Sequence, residues 1–356
     1  MSPEVHGRKR ALITGGAGQD GWYLIELLLS RGYDVAAHSR RQVESEVHGG
    51  RVCWHTGDLT DGIFLDNLLT VSAPDEVFNL AAVSQPALSW DYPLETAQLN
   101  ALVPQRICEF IRRNNPACRL FQASSSEIFG DATSELQDEL TRANPKSPYG
   151  VSKAYAHHIV GAYRQQYGLH LSCGIMFNHE SPRRPLNFVS QKIAHAAAAA
   201  GLRLTETREL DERGRPILCG GKLYLGDINV RRDFGFAGDF VNAMHLIVQN
   251  ETASDFVVGT GQSHSIAEFC EAAFGVVGLD WTKYVEIDQS LVRKVDNRYT
   301  RADFTKLRSE LGWHPKVLFS ELVTMMVQER MRILEMALQP DRHIYIGPPS
   351  RPQTEN

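Results

Sequence analysis

Residues 10–41 read RALITGGAGQDGWYLIELLLSRGYDVAAHSRR, and the prediction of the fold starts from this stretch. An apolar run at residues 11–13 predicts a buried strand, and residues 34–38 predict a second strand after a helix. Between the first strand and the helix, the glycines at 15, 18 and 21 allow a tight turn and a close approach to a pyrophosphate. The order of strand, turn and helix indicates a dinucleotide-binding unit; the alternative is a tight loop without a ligand.

The same alternation continues through the first half of the chain. Short apolar runs predict strands, and longer stretches with helical periodicity follow them. Strands are predicted at 52–55, 76–80, 119–123 and 171–176, and helices at 63–69, 94–113 and 148–167. Strands that alternate with helices predict an α/β fold with a doubly wound parallel sheet of the Rossmann type and right-handed crossovers.

The second half of the chain has a different pattern, which predicts a smaller mixed α/β domain that caps the sheet. Helices are predicted at 187–200, 238–248, 266–274 and 319–338, and strands at 223–225 and 255–258. The polar segment 202–221 is interpreted as a surface excursion. We expect a dinucleotide-binding domain at 1–180 and about 228–260, a substrate-binding domain at about 181–227 and 261–340, and a tail at 341–356.

The composition excludes several classes of protein. Of the 356 residues, 37 are Lys or Arg and 42 are Asp or Glu, so the formal net charge is −5. This mild acidity argues against a nucleic-acid partner, which usually requires a basic excess. The apolar stretches are short, so we expect no membrane span and no signal peptide. The six cysteines are scattered without a metal-binding spacing, which predicts no metal and a reducing, cytoplasmic compartment.

The end of the second predicted strand bears on the choice of cofactor. A carboxylate there would bind the 2′-hydroxyl of NAD, but the sequence has Ser39, Arg40 and Arg41. Two guanidinium groups suit a 2′-phosphate, so we expect NADP; the alternative is a solvated basic loop. Further candidates for contact with adenine and ribose follow the third and fourth strands: Asp58, Leu59, Leu80, Ala81 and Ala82.

A tyrosine and a lysine one helical turn apart are candidate catalytic residues. Tyr149 and Lys153 share one face at the start of the helix that follows the fifth strand. A tyrosine hydroxyl titrates at about pH 10 in water, so it needs a nearby cation to act as a base at neutral pH. Lys153 supplies that cation. A Tyr/Lys pair is also common on protein surfaces, and this pair gains its significance from following the Gly-rich unit.

The segment after the fifth strand supplies further candidates. Residues 123–130 read ASSSEIFG, and Ser125 is placed to hydrogen-bond the reacting oxygen. Oxidation of a sugar carbon needs only a hydroxyl, a tyrosine and a lysine, so Glu127 indicates an additional step. A carboxylate can take a proton from a carbon made acidic by a neighbouring ketone and can then protonate a leaving hydroxyl. The alternative is a carboxylate that marks the start of a helix.

Four motifs occur in order along the chain: GGAGQDG at 15–21, SSSEIFG at 124–130, YGVSK at 149–153 and FNHESPRR at 177–184. With them the sequence resembles the GDP-mannose 4,6-dehydratase family, a group of extended short-chain dehydrogenases and reductases. The resemblance runs from about residue 10 to residue 330, and NHESPRR is its most specific part because it separates this family from generic nucleotide-sugar epimerases. It implies an NADP-dependent lyase that acts on a GDP-sugar.

The resemblance also implies roles for the residues at matching positions. The catalytic residues would be Ser125, Glu127, Tyr149 and Lys153. NADP would be bound by Tyr149 and Lys153 and by residues of the turn, the strand ends and the fourth motif, namely Gly15, Gly18, Gln19, Asp20, Gly21, Arg40, Asp58, Leu59, Leu80, Ala81, Ala82, Ser84, His179 and Arg184. The nucleotide sugar would be bound by Ser84, Ser126, Asn178, Asn187, Lys192, Arg232 and Arg293.

The reaction that the resemblance implies converts GDP-mannose to GDP-4-keto-6-deoxymannose. Tyr149 takes the proton of the C4 hydroxyl while a hydride passes to NADP⁺, and Glu127 then takes the C5 proton, which the new ketone makes acidic. Water leaves from C6 with help from Ser125 and Glu127, and the hydride returns to C6. The cofactor ends as it began, so trace amounts should suffice.

The sequence departs from the family pattern in four places. The loop after Arg41 is shorter, residues 202–221 form an insertion, Glu95 replaces a tyrosine, and a proline is missing beside Arg293. A homodimer and a homotetramer both stay open, as does another GDP-sugar such as a GDP-heptose. Rival enzymes are a UDP-glucuronate-type decarboxylase and an epimerase. The rival from another class is a non-catalytic NADP-sensing protein on the same fold.

Overall fold

The computed structural model describes residues 8–44, 46–131, 135–211, 213–292 and 297–339. Within these ranges the strands are β1 (Arg10–Thr14), β2 (Asp34–Ser39), β3 (Val52–Thr56), β4 (Glu76–Asn79), β5 (Arg119–Ser125), β6 (Leu171–Met176), β7 (Asn178–Glu180), β8 (Leu223–Leu225), β9 (Arg231–Phe236), β10 (Asp255–Val258), β11 (Ser263–Ser265) and β12 (Val285–Ile287). The α-helices are α1 (Gln19–Ser30), α2 (Gly62–Ser72), α3 (Pro93–Ala97), α4 (Val103–Asn114), α5 (Pro148–Tyr167), α6 (Val189–Gly201), α7 (Ala237–Gln249), α8 (Ile266–Val276), α9 (Thr305–Leu311) and α10 (Phe319–Leu338).

Seven strands form a parallel sheet in the order β10-β6-β5-β4-β1-β2-β3, which confirms the predicted doubly wound fold. The strand order reverses between β1 and β4. In such sheets ligands bind beyond the carboxyl ends of the strands at this switch point. The Gly-rich turn follows β1 and the segment 80–82 follows β4, so both candidate cofactor segments lie there. Two smaller sheets have the orders β11-β9-β7 and β12-β8.

The apolar residues of β1 explain why helices cover both faces of the large sheet. Successive side chains of a strand point to opposite faces. Ala11 and Ile13 belong to the core that contains α1 and α7, whereas Leu12 belongs to the core that contains α2 and α4. A strand whose three central residues are all apolar therefore needs a layer of helices on each side.

The helix predicted at 94–113 is interrupted, which corrects that prediction. Between α3 and α4 the chain forms a π-helical segment, Gln98–Leu102. Pro104 lies in the first turn of α4 and lacks the N–H group that would bond the carbonyl of residue 100. The side chain of Asn100 instead bonds both backbone groups of Val83, at 2.9 and 3.0 Å. The segment after β4 is thereby fixed to this helix.

The described chain divides into two compact units. The first contains residues 8–179, 231–263 and 297–317, and the second contains 180–230, 264–292 and 318–339. This division differs from the expected domains in one segment, because residues 297–317 were expected in the second domain and belong to the first unit. Their backbone explains the difference: the Arg231 N–H donates to the Arg298 carbonyl at 3.0 Å, and the Asp303 N–H donates to the Gln137 carbonyl at 2.9 Å.

The second unit contains α6, α8 and α10, which pack on one another, and the parallel pair β8 and β12. Residues 202–221, interpreted above as a surface excursion, are partly internal. Thr207 N–H donates to the Leu218 carbonyl at 3.0 Å, and Ile217 N–H donates to the Glu209 carbonyl at 2.9 Å. Ile217 and Leu218 are 2% and 0% exposed, so this part of the segment is buried.

In the described part of the chain, no helix combines the length and the apolar character that crossing a membrane requires.

Candidate active site

The glycine-rich turn between β1 and α1 has the backbone features of a phosphate-binding turn. Gly15 has a φ of +71°, and a Cβ atom there would lie 3.0 Å from the Ala81 backbone. A Cβ atom on Gly21 would lie 2.5 Å from the Gly15 carbonyl oxygen, so α1 packs directly on the turn. Gly18 precedes α1 without a capping side chain, which leaves the first N–H groups of the helix for an anionic ligand.

Three residues that the sequence assigns to the cofactor form one hydrogen-bonded group beside this turn. His179 Nε2 lies 2.8 Å from Asp20 Oδ2, and its Nδ1 lies 2.7 Å from the Phe177 carbonyl oxygen. The side-chain amide of Gln19 donates to the His179 carbonyl at 3.0 Å. The start of α1 and the chain after β6 are therefore held together by side chains of Gln19, Asp20 and His179.

A buried chain of hydrogen bonds crosses the carboxyl ends of β1, β4 and β5. The Thr14 hydroxyl donates to Asn79 Oδ1 at 2.6 Å, and Asn79 Nδ2 donates to Gln122 Oε1 at 2.7 Å. Gln122 Nε2 donates to the Ala123 carbonyl at 3.0 Å. Sequence reasoning missed these three polar residues. The available signal was that each stands at or near the end of a strand whose other central residues are apolar.

Lys153 joins the same chain of hydrogen bonds at its far end. Its Nζ donates to the Ala123 carbonyl at 2.9 Å and lies 5.9 Å from the centre of the Tyr149 ring. Burial lowers the pKa of Lys153 to about 8, and the carboxylate of Asp20 acts in the opposite direction. A lysine with this pKa can change its protonation state near neutral pH. Groups that take part in acid–base chemistry need this property.

The start of α5 fixes Tyr149 against the rest of the site. The Ser147 hydroxyl accepts the Gly150 N–H at 3.1 Å, as the predicted cap should, and Gly168 ends the helix with a φ of +64°. The Tyr149 N–H donates to the Ser89 hydroxyl at 3.1 Å. Tyr149 is 8% exposed, so the ring is packed while α5 keeps its hydroxyl end one turn from Lys153.

Ser125 and Glu127 lie where β5 passes into a 3₁₀ turn at Ser126–Ile128. The Ser125 hydroxyl accepts the Glu127 N–H at 3.3 Å, which defines the start of this turn. A Cβ atom on Gly150 would lie 2.8 Å from the Glu127 carbonyl oxygen. The first turn of α5 thus lies directly on the backbone that carries Glu127, and the four residues predicted as catalytic occupy adjoining segments of the first unit.

Asn297 is a fourth residue that sequence reasoning missed. Its Nδ2 donates to Glu127 Oε2 at 3.0 Å, although 170 positions separate the two residues. Asn297 is 1% exposed. No motif surrounds it in the sequence, so no pattern identified it before the fold brought it to Glu127.

The other predicted cofactor residues of the first unit follow β2, β3 and β4. Arg40 is exposed directly after β2, and Ser84 is exposed after β4. Oδ1 of the exposed Asp58 accepts the Thr60 N–H at 2.9 Å. Leu59 is 1% exposed and its side chain belongs to the core, so only its backbone is available to a ligand. Leu80, Ala81 and Ala82 are half-buried.

The predicted sugar-binding residues are divided between the units. In the first unit, Ser126 is buried, Asn178 is half-buried, and the buried Arg232 donates from Nη1 to the Arg231 carbonyl at 2.9 Å. In the second unit, Asn187 is exposed and Lys192 is buried. Arg293 lies outside the described residues.

Arg184, predicted as a cofactor residue, is held by contacts within the second unit. Its Nε lies 3.1 Å from Glu180 Oε2, and its guanidinium lies 3.5 Å from the centre of the Phe188 ring. Glu180 also accepts the Ser190 hydroxyl at 2.7 Å and is buried. These contacts fix the chain that follows His179, and the cofactor role of Arg184 stays a prediction.

One group of side chains has the composition of a metal site. His157, Cys173 and Asp255 place ligand atoms within 4.8 Å of one another. Both carboxylate oxygens of Asp255 accept hydrogen bonds from Arg164, at 2.8 and 2.7 Å. Burial raises the pKa of the Cys173 thiol well above its usual value. A guanidinium already bound to the carboxylate, and a thiol that resists ionisation, identify this group as a structural ion pair.

Comparisons with known proteins place this arrangement among nucleotide-sugar enzymes. The family model described as GDP-mannose 4,6 dehydratase matches residues 12–326. GDP-mannose 4,6 dehydratase 1 of Arabidopsis thaliana is 41% identical over 346 residues, which cover 92% of this chain and 91% of the relative. The GDP-mannose 4,6-dehydratase of Vibrio cholerae is 34% identical over 369 residues, covering 92% of this chain and 95% of the relative.

The fold is also similar to that of solved structures. MoeE5 in complex with UDP-glucuronic acid and NAD has a TM-score of 0.76 and 26% identity, over 91% of this chain and 99% of that chain. The identity to MoeE5 is well below that to the dehydratases, so the sequence relationship to the dehydratases is the more informative one.

Proposed function

This chain belongs to the GDP-mannose 4,6-dehydratase family, and we propose from this premise that it converts GDP-mannose to GDP-4-keto-6-deoxymannose. It is a lyase, an enzyme with 4,6-dehydratase activity on a nucleotide sugar. One observation carries the proposed chemistry beyond family membership. Glu127 lies in the turn that follows Ser125, and its backbone carbonyl lies against the start of the helix that bears Tyr149 and Lys153.

NADP is the proposed cofactor, and the residues of the first unit suit it. The turn at Gly15 and the open N–H groups at the start of α1 suit a pyrophosphate. The exposed Arg40 after β2 suits a 2′-phosphate, and no carboxylate stands at residues 39–41 to prefer the 2′-hydroxyl of NAD. When bound, NADP⁺ would supply the hydride acceptor for C4 of the sugar and then the hydride donor for C6.

Tyr149 and Lys153 carry the first proton transfer in this proposal. The Tyr149 hydroxyl, as phenolate, takes the proton from the C4 hydroxyl while C4 is oxidised. The Lys153 ammonium favours the phenolate electrostatically, and its own position is fixed by the bond to the Ala123 carbonyl. Burial lowers the pKa of Lys153 to about 8, so the ammonium form still predominates at neutral pH.

Glu127 carries the elimination. The ketone at C4 makes the C5 proton acidic, and the Glu127 carboxylate takes it. The electron pair of the C5–H bond then forms the C5–C6 double bond as the C6 hydroxyl leaves. The carboxylic acid form of Glu127 supplies the proton with which that hydroxyl departs as water, and Ser125 hydrogen-bonds the substrate oxygen. After hydride arrives at C6, a proton returns to C5.

The residues that the family resemblance assigns to the nucleotide sugar are proposed to bind it. They are Ser84, Ser126, Asn178, Asn187, Lys192, the buried Arg232 and Arg293. Arginine and lysine side chains are suited to the negatively charged diphosphate that every GDP-sugar carries.

The proposal is tested by incubating the purified protein with GDP-mannose and a trace of NADP⁺. Mass spectrometry should detect a product lighter by one water, with no net consumption of cofactor. A parallel reaction with a GDP-heptose tests the substrate. Dehydration of the heptose alone would support the proposed reaction but rule out GDP-mannose as the substrate. Loss of CO2 from a UDP-uronate would instead favour the decarboxylase. If none of these nucleotide sugars reacts, the result would favour an NADP-sensing protein.

The family resemblance also leads us to propose a homodimer or homotetramer. Leu102, Val151 and Tyr155 are exposed apolar side chains, and the Tyr155 hydroxyl donates to Gln105 of α4 at 2.6 Å. Val151 and Tyr155 lie one turn apart on α5, Leu102 ends the π-helical segment before α4, and we propose that a second copy covers these side chains. Size-exclusion chromatography with light scattering tests the proposal, and Val151→Asp should give a monomer. The six free cysteines favour the cytoplasm as the compartment.

A further inference from the structure

We propose that Asn297 is a positioning residue that holds the Glu127 carboxylate in place for removal of the C5 proton. The inference rests on the proposed function, since it assigns Asn297 to the elimination half of that reaction. Its basis is the hydrogen bond from Asn297 Nδ2 to Glu127 Oε2 at 3.0 Å, made by an amide that is 1% exposed.

The backbone around Asn297 is fixed to the first unit at several points. Ala302 N–H donates to the carboxylate of Asp233 at 3.0 Å, and Asp233 is fully buried. Arg301 N–H donates to the side-chain carbonyl of Gln137 at 2.8 Å. The Arg298 carbonyl, next to Asn297, accepts the Arg231 N–H at 3.0 Å. Asn297 therefore approaches Glu127 from a rigid support, as a positioning residue must.

The amide group suits a carboxylate that must act first as a base and then as an acid. A lysine or arginine beside Glu127 would strongly favour the ionised form and impede its protonation. A neutral N–H donor orients the carboxylate with less bias between the two forms. An amide also carries an acceptor oxygen, and after rotation it can accept a hydrogen bond from the carboxylic acid.

The other end of the amide argues against a purely structural role. Asn297 Oδ1 is buried and has no hydrogen-bond partner among the residues that the structure describes. A buried carbonyl without a hydrogen-bond partner destabilises the folded protein, and an apolar residue of the same size would avoid this cost. A residue kept only for packing would not need this oxygen. The hydrogen bond to Glu127 explains why an amide stands at this buried position.

The experiment compares two variants of Asn297 with a matched control on the same segment. Asn297→Leu keeps the approximate volume without a donor, and Asn297→Asp keeps the shape but places a carboxylate against a carboxylate. Thr300→Val is the control, because Thr300 is 3% exposed and its hydroxyl lacks a partner within the described residues. Two half-reactions are followed: reduction of the nicotinamide, which reports C4 oxidation, and exchange of the C5 proton with deuterated solvent.

Asn297→Leu should slow C5 exchange and water loss by up to about 100-fold, because a displaced base loses its alignment with the proton. C4 oxidation and the KM for the sugar should stay within about two-fold. The rate of C5 proton exchange should fall further in Asn297→Asp than in Asn297→Leu. Thr300→Val should show the same rates of both half-reactions as the unchanged enzyme. Equal loss of both half-reactions, or unchanged C5 exchange in Asn297→Leu, would overturn the proposal.

Crystal structures of the unchanged protein and of Asn297→Leu give a readout that needs no substrate. The proposal expects the Glu127 carboxylate to leave its position in the variant while residues 298–303 stay in place. A carboxylate that keeps its position in the variant refutes the positioning role. If the unchanged enzyme dehydrates no GDP-sugar, the proposed function fails, and the crystal structures still decide whether Asn297 positions Glu127.

Discussion

His179 Nε2 lies 2.8 Å from Asp20 Oδ2, so a residue that follows β6 pairs with the carboxylate in the first turn of α1. The other ring nitrogen, Nδ1, lies 2.7 Å from the Phe177 carbonyl oxygen. Both nitrogens thus face oxygen atoms, and a ring N–H directed at Asp20 hydrogen-bonds its carboxylate. This contact holds the Asp20 carboxylate next to the N–H groups that would receive the pyrophosphate.

His179→Leu should weaken binding of NADP⁺ by about 10-fold, because the Asp20 carboxylate then repels the pyrophosphate without compensation. Isothermal titration calorimetry on the cofactor-free protein measures the change. Adding Asp20→Asn to this variant should restore most of the affinity, since the unpaired charge is removed. Full affinity in His179→Leu alone would show that the pair does not influence the cofactor.

Glu127→Gln should separate the two halves of the reaction. The amide cannot take the C5 proton, so dehydration and C5 deuterium exchange should fall by about 10²–10⁴-fold. Oxidation of C4 uses Tyr149 and Lys153, and the absorbance of reduced nicotinamide should still appear after mixing with substrate. Glu135→Gln changes an exposed carboxylate nearby and should leave both halves intact. Normal turnover in Glu127→Gln would remove Glu127 from the mechanism.

The stability of the cofactor-free protein should depend on pH through Lys153. Burial lowers the pKa of Lys153 from its ordinary 10.5 to about 8. Between these pH values the unfolded chain binds more protons than the folded protein, so the free energy of unfolding rises with pH, by up to about 3 kcal/mol. Lys153→Met has no such group and should lack this rise. Urea unfolding of both proteins from pH 7 to 10.5 measures the difference, and a pH-independent difference would contradict the shift.

Gly150→Ala should reduce activity, although alanine favours helices. The new Cβ atom would lie 2.8 Å from the Glu127 carbonyl oxygen, so α5 or the turn that carries Glu127 must move. Gly161→Ala in the same helix meets only the end of Arg164, at 3.7 Å. It should raise stability by about 0.5–1 kcal/mol at unchanged activity. Equal activity of the two variants would mean that the close approach at Gly150 does not matter.

Asn79→Leu should destabilise the protein by about 2–4 kcal/mol, because it leaves the buried partners Thr14 and Gln122 without their hydrogen bonds. The exposed Asn114→Leu should change the free energy of unfolding by no more than about 0.5 kcal/mol. Guanidinium unfolding measures both. A loss in Asn79→Leu as small as in the control would show that the buried chain of hydrogen bonds contributes little.

Local patterns predicted most of the first unit. The strand at 11–13, the Gly-rich turn and the helix with its cap at Ser147 depend on neighbouring residues, and the structure contains all three. The pairing of β10 with β6 and the interruption before Pro104 depend on distant contacts and on one missing N–H group. Periodicity alone does not show such features.

The candidate site was predictable as far as its residues belong to contiguous motifs. Ser125, Glu127, Tyr149 and Lys153 lie in short motifs whose spacing reflects one turn or one helix. Asn297 has no such neighbourhood, because its partner is 170 positions away. Thr14, Asn79 and Gln122 resemble ordinary strand ends until the sheet order makes them neighbours. Contacts between distant segments therefore account for what sequence reasoning missed.

The first unit is built from three stretches of the chain, and the last of them ends at residue 317 of 356. A ribosome must therefore make most of the polypeptide before this unit can close. Until β10, which begins at residue 255, has emerged, β6 is an edge strand with unpaired backbone groups. A nascent chain in that state is prone to pair with the edge strand of another chain. Chaperones that shield such an edge during translation should raise the yield of folded enzyme.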